Sequence, residues 1–98
     1  MATKKVANLP YVVVRTYSAG VHCGELVSRN GKEVTLQNAR RIWRWYGANT
    51  LNEVALFGVA DNSRVSEPVA RLVLTEAIEI IDATADGESS LRAATWTT

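Results

Sequence analysis

The residues best equipped for chemistry lie close together. The segment NARRIWRWYGANT, Asn38 to Thr50, carries Arg40, Arg41 and Arg44 with Trp43, Trp45 and Tyr46. A guanidinium group is a planar fork of donors that matches phosphate and carboxylate. An aromatic ring beside it can stack on a base. Side chains alternate along a strand. Arg41, Trp43 and Trp45 then share one face, and Arg40, Ile42, Arg44 and Tyr46 share the other. The first face is expected to send both tryptophans into the core, with the arginine stems covering apolar surface. The second face supplies the candidate ligand-binding set: Arg40, Arg44 and Tyr46, with Arg15 and Tyr17 as auxiliaries. It suits a nucleotide, an oligonucleotide or an acidic protein partner. The alternative is that Arg40 and Arg44 pair with Glu76 and Glu79, within the fold or across a subunit boundary. The sequence leaves both open.

Catalytic chemistry finds no constellation. His22 is the single histidine and Cys23 the single cysteine. Being adjacent, they point to opposite faces of a strand unless a bulge at Gly24 reorients one. A buried Cys23 and a surface or interface His22 are expected. One His and one Cys do not complete a metal site, and no disulfide can form within the chain. Gly20, Gly24 and Gly31 are not spaced as a phosphate loop or a dinucleotide fingerprint. No nucleophile elbow is present. The protein is therefore expected to be non-enzymatic and to need no cofactor or metal.

The elements that would position the arginines can be read from local patterns. YVVVRTY (Tyr11 to Tyr17) is β-branched and aromatic and predicts a strand covered on both faces at Val12 to Val14. SAG is a turn, with Gly20 free to take positive φ. VHCGELVS (Val21 to Ser28) predicts a second strand, bent or bulged at Gly24. Asn30-Gly31 signals a tight hairpin, and EVTLQ returns as a third strand. Asn38-Ala39 reads as a brief turn and RRIWRWY as a fourth strand. TLNE, Thr50 to Glu53, fits a capping box that opens a short helix over LNEVALF, with Gly58 as its stop. VADNSRVSEP (Val59 to Pro68) reads as a loop. Residues 70–82 are ambiguous between helix and strand. Strand is favoured for Arg71 to Leu74, with extended structure through Ile78 to Ile81. One helical turn is expected near Ser89 to Ala93, and Trp96 is expected to be at least partly covered, since an indole is costly to leave in water.

The bulk properties bound the whole. The chain has 98 residues, enough for one small domain and one core. Residues 1–9 and 83–98 are expected to be flexible or peripheral ends. The net charge of +1 gives no general pull toward nucleic acid or membrane. No apolar run approaches the roughly 20 residues that span a bilayer. MATKK is basic but lacks a signal-peptide core, which predicts a cytosolic protein. Charge is nonetheless segregated. Arg29, Lys32, Arg40, Arg41 and Arg44 face only Glu33 between Arg29 and Arg44, while Glu76, Glu79, Asp82, Asp86 and Glu88 run without a base. Short, bent strands with a glycine in the second predict a mainly β, α+β fold. Its expected form is a small antiparallel SH3/Sm-like barrel with one short capped helix. GELVSRNGKEVTLQNA looks like the strand–turn–strand portion of an Sm-like fold. Exposed edges in so short a chain make a homo-oligomer the expected state.

The phrases VRTYSAGV, NGKEV, NARRIWRW, GANTL and LTEAIEII, together with Gly24, carry a resemblance over about residues 11–82. The chain resembles a family of small bacteriophage- and prophage-encoded proteins whose domain has no assigned function. The resemblance implies phage origin and action in the cytoplasm of the bacterial host, and it carries no catalytic residues. Small phage accessory proteins commonly counter host defences, some by sequestering nucleotide signals. The leading expectation is an anti-defence protein that binds a phosphate-bearing, cyclic nucleotide second messenger. The alternatives are a single-stranded nucleic-acid binder, or a protein–protein module that blocks a host enzyme or serves assembly.

Overall fold

The computed structural model describes residues 9–95. The expectations for MATKK and Trp96 fall outside those residues. Strands β1 (Tyr11–Thr16), β2 (Val21–Asn30) and β3 (Glu33–Arg44) form a meander, followed by helix α1 (Leu51–Phe57). Strands β4 (Arg64–Val65), β5 (Val69–Leu74) and β6 (Ala77–Asp82) and helix α2 (Ala85–Ala93) complete the chain. All pairings are antiparallel, in the order β4-β3-β2-β1-β6, with β5 also on β3.

Both faces of the sheet are covered. Tyr11, Val13, Cys23, Ile42 and Val65 pack under Val54 and Ala55 of α1 and Leu91 of α2. Val12, Val14, Val34, Leu36, Ala39 and Leu74 form a second cluster, joined by Leu72, Ala77 and Ile80. That cluster holds no helix residue and draws on β5 and β6, which lie at opposite ends of the pairing order. The sheet therefore curls over its own second face. Val12, Val13 and Val14 are all fully buried, as their unbroken apolar run predicts.

The curl stops short of closure. Among the described residues no ladder joins β5 to β6, although only Thr75 and Glu76 separate them. This two-residue turn carries the chain from one end of the sheet to the other instead of folding it back as a hairpin. The expected closed barrel is thus an open, curled, six-stranded sheet.

Other expectations are corrected for local reasons. Asn38-Ala39 is no turn between two strands. β3 runs unbroken through it, and Asn38 takes a φ of 52° as the extra residue of a bulge. Cys23 pairs with Arg40 and Glu25 with Gln37, so two residues of β3 are opposed to Gly24 alone. Glycine suits this close approach, because a Cβ on Gly24 would lie 3.0 Å from the Ala39 Cα, tighter than most such contacts. The hairpin tip is Gly31-Lys32, enclosed by the Asn30–Glu33 pair, with Gly31 at φ 61° in the first turn position. The expected loop at 59–68 contains β4, because Val65 pairs with Ile42 and is fully buried.

Among the described residues there are two capped helices, not one. Thr50 accepts the Glu53 N–H as expected, while the Glu53 carboxylate reaches one residue further, to the Asn49 N–H at 2.9 Å. Gly58, at φ 86°, ends α1 by donating to the Val54 carbonyl at 2.8 Å. The second helix is longer than the single turn expected. Thr84 accepts the Gly87 N–H at 3.0 Å and opens nine residues, whose Leu91 is fully buried. Through Gly87 and Leu91 this helix docks on the core, while most of its other residues stay at the surface.

Candidate functional site

The five candidate ligand-binding residues are not brought together. Arg40 is committed to partners within the fold. It retains 9% exposure and points toward the helices. Its Nε donates to the Ser66 carbonyl at 2.8 Å, and Nη1 to the carbonyls of Leu91 at 2.7 Å and Arg92 at 3.1 Å. Nη2 donates to the Ala94 carbonyl at 2.5 Å. Arg40 thus serves the orphan carbonyls at the C-terminus of α2, where a cation is also favoured by the helix dipole. Among the described residues it meets no carboxylate.

Arg15 and Tyr17 are elsewhere. Arg15 pairs with Glu79 at 3.5 Å across β1 and β6. Tyr17 stands on the β1–β2 turn, 81% exposed. Glu76 accepts the Ser18 hydroxyl at 2.5 Å. Glu76 and Glu79 therefore take their partners from β1 and the turn after it, and among the described residues the alternative pairing of Arg40 and Arg44 with Glu76 and Glu79 does not form within the fold.

Arg44 and Tyr46 remain together, with a different companion from the one expected. Arg44 Nη1 donates to the Tyr46 hydroxyl at 3.3 Å. Its guanidinium carbon lies 5.5 Å from the centre of the Trp43 ring, and that of Arg64 lies 5.7 Å from the same centre. Both distances are within cation–π range. Trp43 is 55% exposed and so leaves the core position expected for it, whereas Trp45 is partly buried against the helix-side cluster. Trp43 keeps the face opposite Ile42 that alternation gives it, but that face is open here; the β3–β4 register then shifts between Ile42 and Arg44, and β3 ends there. Past that shift Trp45 joins Ile42, and Trp43 faces outward.

Trp43 forms one wall of a cleft of about 420 Å³. Arg41, Ser66, Glu67, Val69, Leu72 and the buried His22 also line it. Ser66 is fixed to β3, donating its N–H to the Arg41 carbonyl and accepting the Arg41 N–H at its hydroxyl, both at 2.9 Å. Arg40 also lines the cleft, and its bond to the Ser66 carbonyl positions this wall. Volumes of this order accommodate small ligands.

His22 and Cys23 lie on opposite faces, as alternation predicts. The Cys23 thiol sits in the helix-side cluster and accepts the Tyr11 hydroxyl at 3.4 Å. Burial pushes its pKa up, so it stays a thiol. Burial likewise pushes the Tyr11 phenol up. His22 is 1% exposed, which corrects the surface position expected for it. Its Nε2 contacts the Ala19 carbonyl at 2.9 Å, which requires the proton on that nitrogen. Nδ1 is buried without a partner among the described residues. Burial and the nearby Arg41 charge hold the imidazole below its ordinary pKa, so it is neutral. Among the described residues no group of His, Cys, Asp and Glu could hold a metal ion. No described helix is long and apolar enough to cross a membrane.

A family model for a domain of unknown function, DUF6948, matches residues 9–91. The chain belongs to this family. No curated protein and no solved structure matches it. The matched residues include every strand and most of α2, and hence both Trp43 and Arg64.

Two members of the site were not legible in the sequence. Arg64 lay in an expected loop, and Trp43 was assigned to the core. The available signal was Arg64-Val65-Ser66, a polar–apolar–polar step long enough for a short edge strand.

Proposed function

We propose that this protein is a non-enzymatic binding protein for a phosphate-bearing nucleotide, taken at the Trp43 surface. One observation carries the reading: an indole more than half exposed, with the guanidinium groups of Arg44 and Arg64 both within 6 Å of its centre, beside a cleft of nucleotide size. The exposed part of the indole offers a stacking surface for a base, and the Arg44 fork offers donors to phosphate, with the Arg64 charge adding to the local positive field. Arg44 makes no ion pair among the described residues, so its charge is available to an anion.

On this reading the protein is a phage accessory protein of the host cytoplasm that sequesters a nucleotide signal, an anti-defence role. The family resemblance supports that setting. The curled sheet, with β5 and β6 meeting at a two-residue turn, supports a relation to SH3- and Sm-like barrels. The open strand edges and the exposed Phe57, 69% accessible, support self-association.

Calorimetry against cyclic and linear nucleotides tests the proposal. Base–aromatic stacking is worth about 1–3 kcal/mol, so Trp43→Ala should weaken binding by about tenfold or more. Arg44→Glu should weaken it further by opposing the phosphate. No heat with any nucleotide would refute the reading. Affinity that grows with oligonucleotide length and falls steeply with salt would favour a single-stranded nucleic-acid binder instead.

A further inference from the structure

A second cleft, of about 680 Å³, opens where three turns meet. Tyr17, Arg29, Gly31, Lys32, Glu76 and Ile78 line it. None of these residues takes part in the Trp43 surface. The turns are fastened to one another by backbone bonds. The Ala77 N–H donates to the Lys32 carbonyl and the Tyr17 N–H to the Glu76 carbonyl, each at 3.0 Å. The Ser18 hydroxyl adds its bond to Glu76 Oε1. The cleft is therefore preorganised, although the residues that form it are far apart in sequence.

The side chains around it have a consistent chemistry. Tyr17 presents a ring that is 81% exposed. Arg29 and Lys32 supply two cations, and neither is in an ion pair among the described residues. Glu76 is held by Ser18 through one oxygen, which leaves the other to accept from a ligand amine or hydroxyl. Ile78 is the extra residue of a β6 bulge, since Ala77 pairs with Thr16 and Glu79 with Arg15. The bulge re-aims a 51%-exposed apolar side chain at the cleft.

We propose that this cleft is a second binding site, for a small ligand that carries a phosphate and an aromatic ring. Tyr17 stacks on the ring, Arg29 and Lys32 hold the phosphate, and Glu76 accepts a hydrogen bond from the ring's amine or the sugar hydroxyl. A nucleoside monophosphate has all of these groups. The site is distinct from the Trp43 surface and stands or falls separately.

The test uses the full chain carrying Trp43→Ala and Arg44→Glu, which silences the other surface. Adenosine monophosphate, adenosine and inorganic phosphate are each titrated while amide NMR shifts are followed. The expected result is saturable shifts at Tyr17, Gly31, Lys32 and Ala77 with adenosine monophosphate, and affinity at least tenfold weaker for either fragment. Arg29→Glu with Lys32→Glu should weaken binding of the monophosphate at least tenfold; both residues are exposed, so the fold persists. Tyr17→Ala should weaken the monophosphate but leave phosphate alone unchanged. Unmoved amides at the cleft, or shifts indifferent to the charge reversals, overturn the proposal. So does inorganic phosphate binding as tightly as the nucleotide.

Discussion

Replacing Arg40 by alanine removes one buried guanidinium that gathers the carbonyls of Ser66, Leu91, Arg92 and Ala94. Hydrogen bonds to charged groups are worth about 1.5–3 kcal/mol each, but helix-end carbonyls recover some water when a donor leaves. A net loss of about 1 kcal/mol per contact gives a destabilisation of about 4 kcal/mol. That is a large share of the roughly 5–15 kcal/mol that holds a domain together. At roughly 4–8 °C per kcal/mol for a domain of this size, the thermal midpoint should fall by about 15–30 °C. Arg40→Lys keeps the charge but not the fork, and one ammonium cannot reach all the carbonyls. It should recover less than half of the loss. Arg44→Ala, on the exposed side of the same strand, should change stability by no more than about 0.5 kcal/mol. Urea unfolding followed by circular dichroism measures all three variants. If Arg40→Ala unfolds within about 1 kcal/mol of the parent protein while nucleotide binding disappears, the structural assignment of Arg40 is wrong and its role as a ligand residue is restored.

Three further outcomes follow from the packing and the buried charges. A Cβ on Gly87 would run into the Ala55 carbonyl, so Gly87→Ala should force α1 and α2 apart and cost about 2 kcal/mol or more, despite alanine's better helix propensity; thermal melts measure it. Thr84 accepts the Gly87 N–H and donates to the Leu56 carbonyl at 2.5 Å, so Thr84→Ala should cost about 1–2 kcal/mol in urea unfolding. Stability should also fall with acid in two steps. The folded His22 pKa is depressed, so the unfolded chain takes up a proton that the folded one does not. This contribution is complete above the ordinary value of 6.5 and fades as pH falls below it. Burial alone would raise the Glu25 pKa, but hydrogen bonds from Arg92, Gln37 and Asn38 outweigh it and hold the carboxyl below its ordinary 4.5. Its contribution is therefore complete above 4.5 and fades below. Urea midpoints measured from about pH 8 down to about pH 2.5 should show both steps, and His22→Gln should remove the first. A flat profile through the first interval would contradict the buried neutral imidazole.

The sequence by itself determined what local chemistry decides. The apolar run at Val12 to Val14 required cover on both faces. Asn30-Gly31 required a tight hairpin, Gly24 a bulge, and Thr50 with Glu53 a capped helix. The opposite faces of His22 and Cys23 followed from strand alternation, which holds wherever the ladder is regular. Tertiary structure decided what depended on register and on distant partners. A bulge at Asn38 kept two expected strands in one. The assembled sheet left the Arg41–Trp43 face open, and a register shift at the end of β3 turned Trp45 back to the side of Ile42. The most consequential case is Arg40. Its side chain is as suited to phosphate as that of Arg44, and nothing within several residues distinguishes them. The difference is that α2, more than 40 residues later, ends beside Arg40 with carbonyls that lack intrahelical partners. A guanidinium goes where acceptors are concentrated and water is scarce, and only the assembled fold sets that place.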